Sequence, residues 1–311
     1  MTPDDKLAAI LAAVQTDPGG RGLARDPHDN LFTATKGDFE AACRELATAP
    51  LLTLKLLTGF FIPTGTPPAF ETDGPLGAAF LTRAFLSLGA EVLIVTNHPL
   101  RAVFAHAGID DPEHRHAIGM IPPTTVSDER LLTDPKALRL FQPTHLISVE
   151  RCGPTADGRC YSMRGRDITE ECEASHRLVE LYPKIDPSIR TIGIGDGGNE
   201  IGMGKIPHET VVKNIPNGDL IHCRVPTDHL IVAGVSNWGA YALAAGVFVL
   251  RGVTPPADLF DPDREREILE VMVREGPLVD GVTGKQTATV DGLTWDEYVK
   301  PLVRIREILE A

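Results

Sequence analysis

Acidic residues set among glycines are the first feature of this chain that could do chemistry. In TIGIGDGGNEIGMG an apolar run leads into Asp196, Gly197, Gly198, Asn199 and Glu200. Glycine lets backbone come close to a ligand, and a carboxylate there can hold a cation, take a proton or anchor an ammonium group. The plainer reading is a tight turn in which Asp196 or Asn199 caps backbone amides. A GxGxxG pattern also runs through Gly193, Gly195 and Gly198. No acidic residue follows at the end of a second strand about 20 residues further on, so this is a weak cofactor box.

The segment TGFFIPTGTPPAFETDGPLGAAF offers a second group. Thr58 and Gly59 end an apolar run, and Glu71, Thr72, Asp73 and Gly74 lead into a helix starting near Pro75. A helix start presents unpaired amides to an anion, and two nearby carboxyls drive their pKa values apart, giving one a base near neutrality. Asp73 reads equally well as a helix cap. In SVERCGPTADGRCYSMRGRDITEEC, Arg151 or Arg164 can grip a carboxylate with two hydrogen bonds. Pairing with neighbouring acids is the rival there, and Asp167 suits a cap for the helix opening ITEE. In GVSNWGAY, Ser236 and Asn237 can orient a ligand, while Trp238 reads as core.

The elements that must position these groups alternate. Near-continuous apolar runs at 51–62, 91–96, 145–150, 190–195, 220–225 and 229–234 read as strands covered on both faces. Helical patterns fall at 75–88, 100–107, 128–140, 168–181, 238–250, 263–275 and 295–309. The expected fold is α/β, a three-layer sandwich with a mostly parallel, Rossmann-like sheet covered by helices on both faces. One domain over 1–311 is expected, with helical segments at about 1–50 and 253–311 packed on the same core.

The chain has 311 residues, 42% of them hydrophobic, and 30 basic against 43 acidic residues give a formal charge of -13. That balance disfavours nucleic acid and anionic membranes as partners, but not a small anion held by local arginines. The five cysteines, Cys43, Cys152, Cys160, Cys172 and Cys223, show no CxxC spacing. With no basic, apolar leader at the start, a reducing cytoplasm fits best, and Cys152 and Cys160 read as buried structural residues. The histidines show no HExxH, and His114 and His116 fall in a polar stretch, so histidine-ligated zinc is not expected.

Taken in order, TGFFIP, ETDGPLGA, SVERCGPTADGRCYSMRG, TIGIGDGGNEIGMGK, GVSNWGAYALA and VDGVTGKQTATVDGL resemble the D-glutamate cyclase family, found alone in bacteria and as the C-terminal part of a mitochondrial enzyme in animals. The blocks run from about residue 51 to residue 292. The resemblance implies a hydro-lyase that closes D-glutamate to 5-oxo-D-proline and water.

Ring closure needs a base, a stabiliser for the developing oxyanion and an acid. On residue chemistry, Glu71 or Glu200 can move the proton, and Arg164 can neutralise a substrate carboxylate. Asp196, with Asp73 or Glu200, can hold a divalent cation, Mg²⁺ or Mn²⁺. Thr58, Gly59, Thr72, Gly74, Arg151, Gly197, Gly198, Asn199, Ser236 and Asn237 are the expected substrate contacts. A non-catalytic amino-acid sensor and a metal-dependent phosphoryl-transfer enzyme are the alternatives. The second lacks a Walker lysine, because Gly204-Lys205 is followed by Ile206. Association into a homo-oligomer is left open.

Overall fold

The computed structural model describes residues 1–96, 100, 103–104, 117–120, 142–276 and 278–311. Among these, six parallel strands make the main sheet: β1 (Thr53–Thr58), β4 (Glu91–Thr96), β5 (Ala117–Met120), β6 (His145–Val149), β7 (Arg190–Gly195) and β8 (His229–Val232). Their spatial order is β5-β4-β1-β6-β7-β8, with β1 paired to β4 on one side and to β6 on the other. Successive strands are thus added in one direction from β1 and then in the other, the doubly wound order of a Rossmann-like sheet. A short antiparallel pair, β2 (Phe61–Ile62) and β3 (Ala69–Phe70), projects beyond the end of β1.

Alternate side chains of the strands enter two cores. Leu54, Leu56, Ile147, Val149, Ile192 and Ile194 pack under α1 (Pro3–Val14), α3 (Asp38–Thr48), α4 (Pro75–Ser87) and α8 (Ser236–Arg251). The same side carries α9 (Pro262–Glu275) and α11 (Lys300–Glu310). Leu57, Leu146, Leu230 and Val232 pack on the other face with α2 (Leu31–Ala34), α5 (His176–Ile185), α6 (His208–Asn214) and α7 (Gly218–Ile221). The three-layer sandwich is therefore present, and burial of both strand faces explains runs that do not alternate in polarity.

Four local expectations are corrected. The run at 220–225 is not a strand: Leu220 and Ile221 end α7, and the chain continues through His222, whose Nε2 lies 2.9 Å from the Met203 carbonyl. A short buried apolar run does not distinguish a strand from a buried turn. The helix expected over 168–181 begins at His176, after a single 3₁₀ turn at Thr169–Glu171, because Cys172 is extended. The C-terminal helix divides into α10 (Trp295–Tyr298) and α11. Pro301 has no N–H for a helical bond to Glu297, so the helix restarts. The run at 51–62 breaks at Gly59 (φ 112°), which turns the chain from β1 into β2. The helices expected at 100–107 and 128–140, and His114 and His116, lie largely or wholly outside the described residues. Among the described residues, no helix is long and apolar enough to cross a membrane.

Candidate active site

A doubly wound sheet leaves a crevice at the carboxyl ends of the two strands where its winding reverses, here β1 and β6. A cavity of about 220 Å³ opens there, lined by Phe60 after β1, Glu150 after β6 and Asp196 after β7.

The first wall is carried by the β2–β3 hairpin, which brings Glu71 back beside the end of β1. The Glu71 amide donates to the Phe60 carbonyl, and the Thr72 amide to Val279. The Glu71 carboxyl lies in the cavity against the backbone of Gly281, where a Cβ would meet its Oε2 at 1.7 Å. It accepts no hydrogen bond from the described residues.

Behind this wall, α4 and α8 start side by side and cap each other. Asp73 accepts from the Ser236 amide (2.9 Å) and the Asn237 amide (2.8 Å). In return Asn237 Oδ1 accepts from the amides of Gly74 (2.9 Å) and Gly77 (2.7 Å). Asp73 is thus a cap, but for the neighbouring helix. Ser236 is not the cap of α8, since Val235 holds that position; its hydroxyl instead donates to Glu150 Oε2 at 2.5 Å. Gly74 (φ 91°) admits this approach, as a Cβ there would stand 2.7 Å from that of Glu150. Trp238 is buried, as expected of a core residue, and donates to the Tyr298 carbonyl.

The glycine loop after β7 forms the second wall. Glu200 turns inward, accepting from the amides of Asp196 (3.0 Å) and Gly198 (2.7 Å). This fixes Asp196 and Asn199 at the cavity. Asn199 Nδ2 donates to the Tyr161 carbonyl, while its Oδ1 is buried without a partner among the described residues. Gly193 and Gly195 lie within β7 and no helix opens at this loop, so the glycines do not form a dinucleotide turn. At the rim stand Arg164 and Arg166, and Arg164 donates to the Val282 carbonyl. Arg151 points elsewhere: its guanidinium donates to Ser175 Oγ and the Gly59 carbonyl, tying β1 to α5. Thr58, Gly59, Thr72, Gly197 and Gly198 shape the walls without lining the cavity.

Sequence reasoning did not select four of the charged lining residues, Arg21, Glu150, Arg166 and Asp291. Arg21 pairs with Asp196, and its second terminal nitrogen reaches Asp291 Oδ1 at 2.8 Å. Asp17 holds the turn presenting Arg21 by accepting the amides of residues 21, 22 and 23. Asp291 (φ 56°) and Glu150 (φ 44°) adopt left-handed backbone, uncommon outside glycine and a mark of sites held under strain. The signal for Asp291 was present as the repeated VDG at 279–281 and 290–292. Asp280 of the first copy accepts the Gly292 amide of the second at 2.7 Å, locking the two turns together.

Four carboxyls therefore line the cavity: Glu71, Glu150, Asp196 and Asp291. Burial pushes Glu71 well above its ordinary value; Asp291 and Asp73 act in the same direction and Arg21 opposes them. Burial, then Asp196 and Glu200, do the same to Glu150. Asp196 is raised by burial against the pull of Arg21. Burial disfavours the Arg21 charge, but Asp196, Asp291 and Glu150 outweigh it, so the guanidinium stays charged. Arg21 lies among these four acids, and strongly perturbed carboxyls gathered in one cleft mark a candidate functional site. Oxygens of Asp73, Asp196 and Asp291 lie within 4.8 Å of one another, and Asp291 Oδ2 is buried without a hydrogen bond among the described residues. That donor set fits a hard divalent cation.

A family model described as D-glutamate cyclase-like, C-terminal, matches residues 10–306. The chain belongs to this family. It is also 30% identical to the mitochondrial D-glutamate cyclase of Homo sapiens, over an alignment of 346 residues. That alignment covers 98% of this chain and 52% of the human protein, so the chain spans about half the length of this relative. Family membership extends to both ends of the cavity-forming sequence, since Arg21 and Asp291 each lie inside the matched range.

Proposed function

We propose that this cavity closes D-glutamate to 5-oxo-D-proline with release of water. The observation that carries the reading is a buried, proton-retaining Glu71 facing the rim arginines Arg164 and Arg166 across one cavity, in a member of the D-glutamate cyclase-like family. In the reaction the α-nitrogen joins the γ-carbon and one γ-carbon–oxygen bond breaks. Both protons lost by the ammonium group leave on that oxygen as water.

Arg164 and Arg166 bind the α-carboxylate through charge-assisted hydrogen bonds. Phe60 and Val282 give the methylenes an apolar surface and exclude water from the reacting end. Glu71, holding its proton, gives it to the departing oxygen and takes a replacement from the ammonium group, a role suited to a buried carboxyl whose pKa is raised. Glu200 is less suited, because its oxygens already accept the loop amides. Asp73 and Asp196, joined by Asp291, are the residues that would hold Mg²⁺ or Mn²⁺, which would polarise the γ-carboxyl.

The deciding experiment incubates the protein separately with D-glutamate and L-glutamate and follows 5-oxoproline by chiral chromatography. Product from D-glutamate is expected. Product from neither enantiomer sinks the proposal, and saturable binding without product would make the protein a receptor instead. Activity unchanged by exhaustive chelation would remove the cation from the scheme.

A further inference from the structure

Three of the five cysteines, 8 and 12 positions apart and without a recognisable metal-site spacing, meet beside the cavity. Cys152 follows the end of β6, Cys160 begins the strip that roofs the cavity, and Cys172 ends the 3₁₀ turn after it. Their sulfur atoms all lie within 4.8 Å of one another. All three are free thiols; Cys152 and Cys160 are buried, and Cys172 is half-buried.

We propose that Cys152, Cys160 and Cys172 form a thiolate site for a zinc ion that pins the roof of the cavity. Three sulfurs at about 2.3 Å from a tetrahedral zinc stand about 3.8 Å apart, a triangle this cluster reaches with small side-chain movements. A disulfide would join two sulfurs and leave the third unpaired, whereas a soft cation uses all three. The half-buried Cys172 provides the way in and leaves a fourth position for water.

Binding displaces the three thiol protons, so zinc with three thiolates carries one net negative charge. Arg151 lies close enough to act electrostatically on the sulfurs of Cys160 and Cys172, and so to offset that charge. Between Cys160 and Cys172 lie Met163, Arg164 and Arg166 of the cavity lining. The ion would therefore fix the rim arginines without touching substrate. This inference does not rest on the reaction assigned to the cavity.

The test uses the full chain, reduced, stripped with chelator and titrated with Zn²⁺ or Co²⁺ alone. Expected results are one sulfur-bound ion per chain, a sulfur-to-cobalt charge-transfer band and protection of three thiols from alkylation by zinc. The band distinguishes sulfur ligation from binding at the cavity carboxylates, which cannot produce it. Cys172→Ser is expected to weaken the ion more than the ~10–100-fold typical of outer-shell changes, whereas Cys43→Ser leaves it unchanged. Absence of the band, equal uptake by Cys172→Ser, or a Cys–Cys bond in the intact mass without metal uptake would overturn the site. Thiol protection is measured on the unmodified chain, so the outcome stands even if a variant fails to fold.

Discussion

Glu71 and Glu200 are both buried glutamates in loops beyond strand ends, on opposite walls of one crevice, and their surroundings differ. Glu200 is enclosed by backbone: each oxygen accepts an amide of the glycine loop. Glu71 rests on a glycine backbone, accepts no hydrogen bond among the described residues and faces the cavity. An acid satisfied by fixed amides holds a loop in shape, while an acid with unspent oxygens and a raised proton affinity is available to a ligand. Residue type and local sequence do not separate the two roles; the partners of the oxygens do.

The sharpest way to break this comparison is Glu71→Gln, which keeps the shape and removes the exchangeable proton. Turnover of D-glutamate is expected to fall ~10²–10⁴-fold, with the urea-unfolding midpoint unchanged or raised. Residual activity near the parent level would end the assignment. Glu200→Gln is the reciprocal change. Replacing one acceptor oxygen by an NH₂ group leaves a loop amide unsatisfied, so stability should fall by about 1–3 kcal/mol, read as a lower urea midpoint. Glu200→Gln with normal stability but no turnover would transfer the proton role to the glycine loop.

A pH-dependent effect is expected at a third buried acid, outside the cavity lining. Burial raises Glu265 to about 7, against the hydrogen bond from the Tyr241 hydroxyl and the charge of Arg83. The folded value lies above the unfolded one, so its contribution to stability is complete below about pH 4.3 and is lost as pH rises through about 7. Glu265→Gln removes that dependence. Its stability relative to the parent should therefore rise by ~3 kcal/mol between pH 4 and pH 8, compared by denaturant titration at both values. A difference that does not change with pH would show that Glu265 titrates alike in folded and unfolded chains.

Much of the scaffold was legible because it depends on local pattern. The apolar runs at 91–96, 145–150, 190–195 and 229–234 became β4, β6, β7 and β8, and Gly-Pro at 74–75 opened α4. The glycine loop and ETDG were recognisable as walls because glycine beside acid is a local signature. Arg21 was not legible, since its importance comes from Asp196 and Asp291, residues 175 and 270 positions away. Cys172 was misread as helical because nothing in its neighbours reveals the two other sulfurs. The repeated VDG carries no chemistry of its own as a local pattern, yet its second copy supplies Asp291.

The link Asp196–Arg21–Asp291 also bears on biosynthesis. It joins an early loop, the middle of the sheet and a late loop around a single guanidinium. Contacts so far apart in sequence form late, because loop closure must come before they contribute stability. A growing chain can lay down the central strands while Arg21 still lacks Asp291 and the cavity its last wall. On the proposed function, a chain cut before residue 291 would lack both its last cavity acid and the core helix α11, so turnover and stability are expected to be lost together.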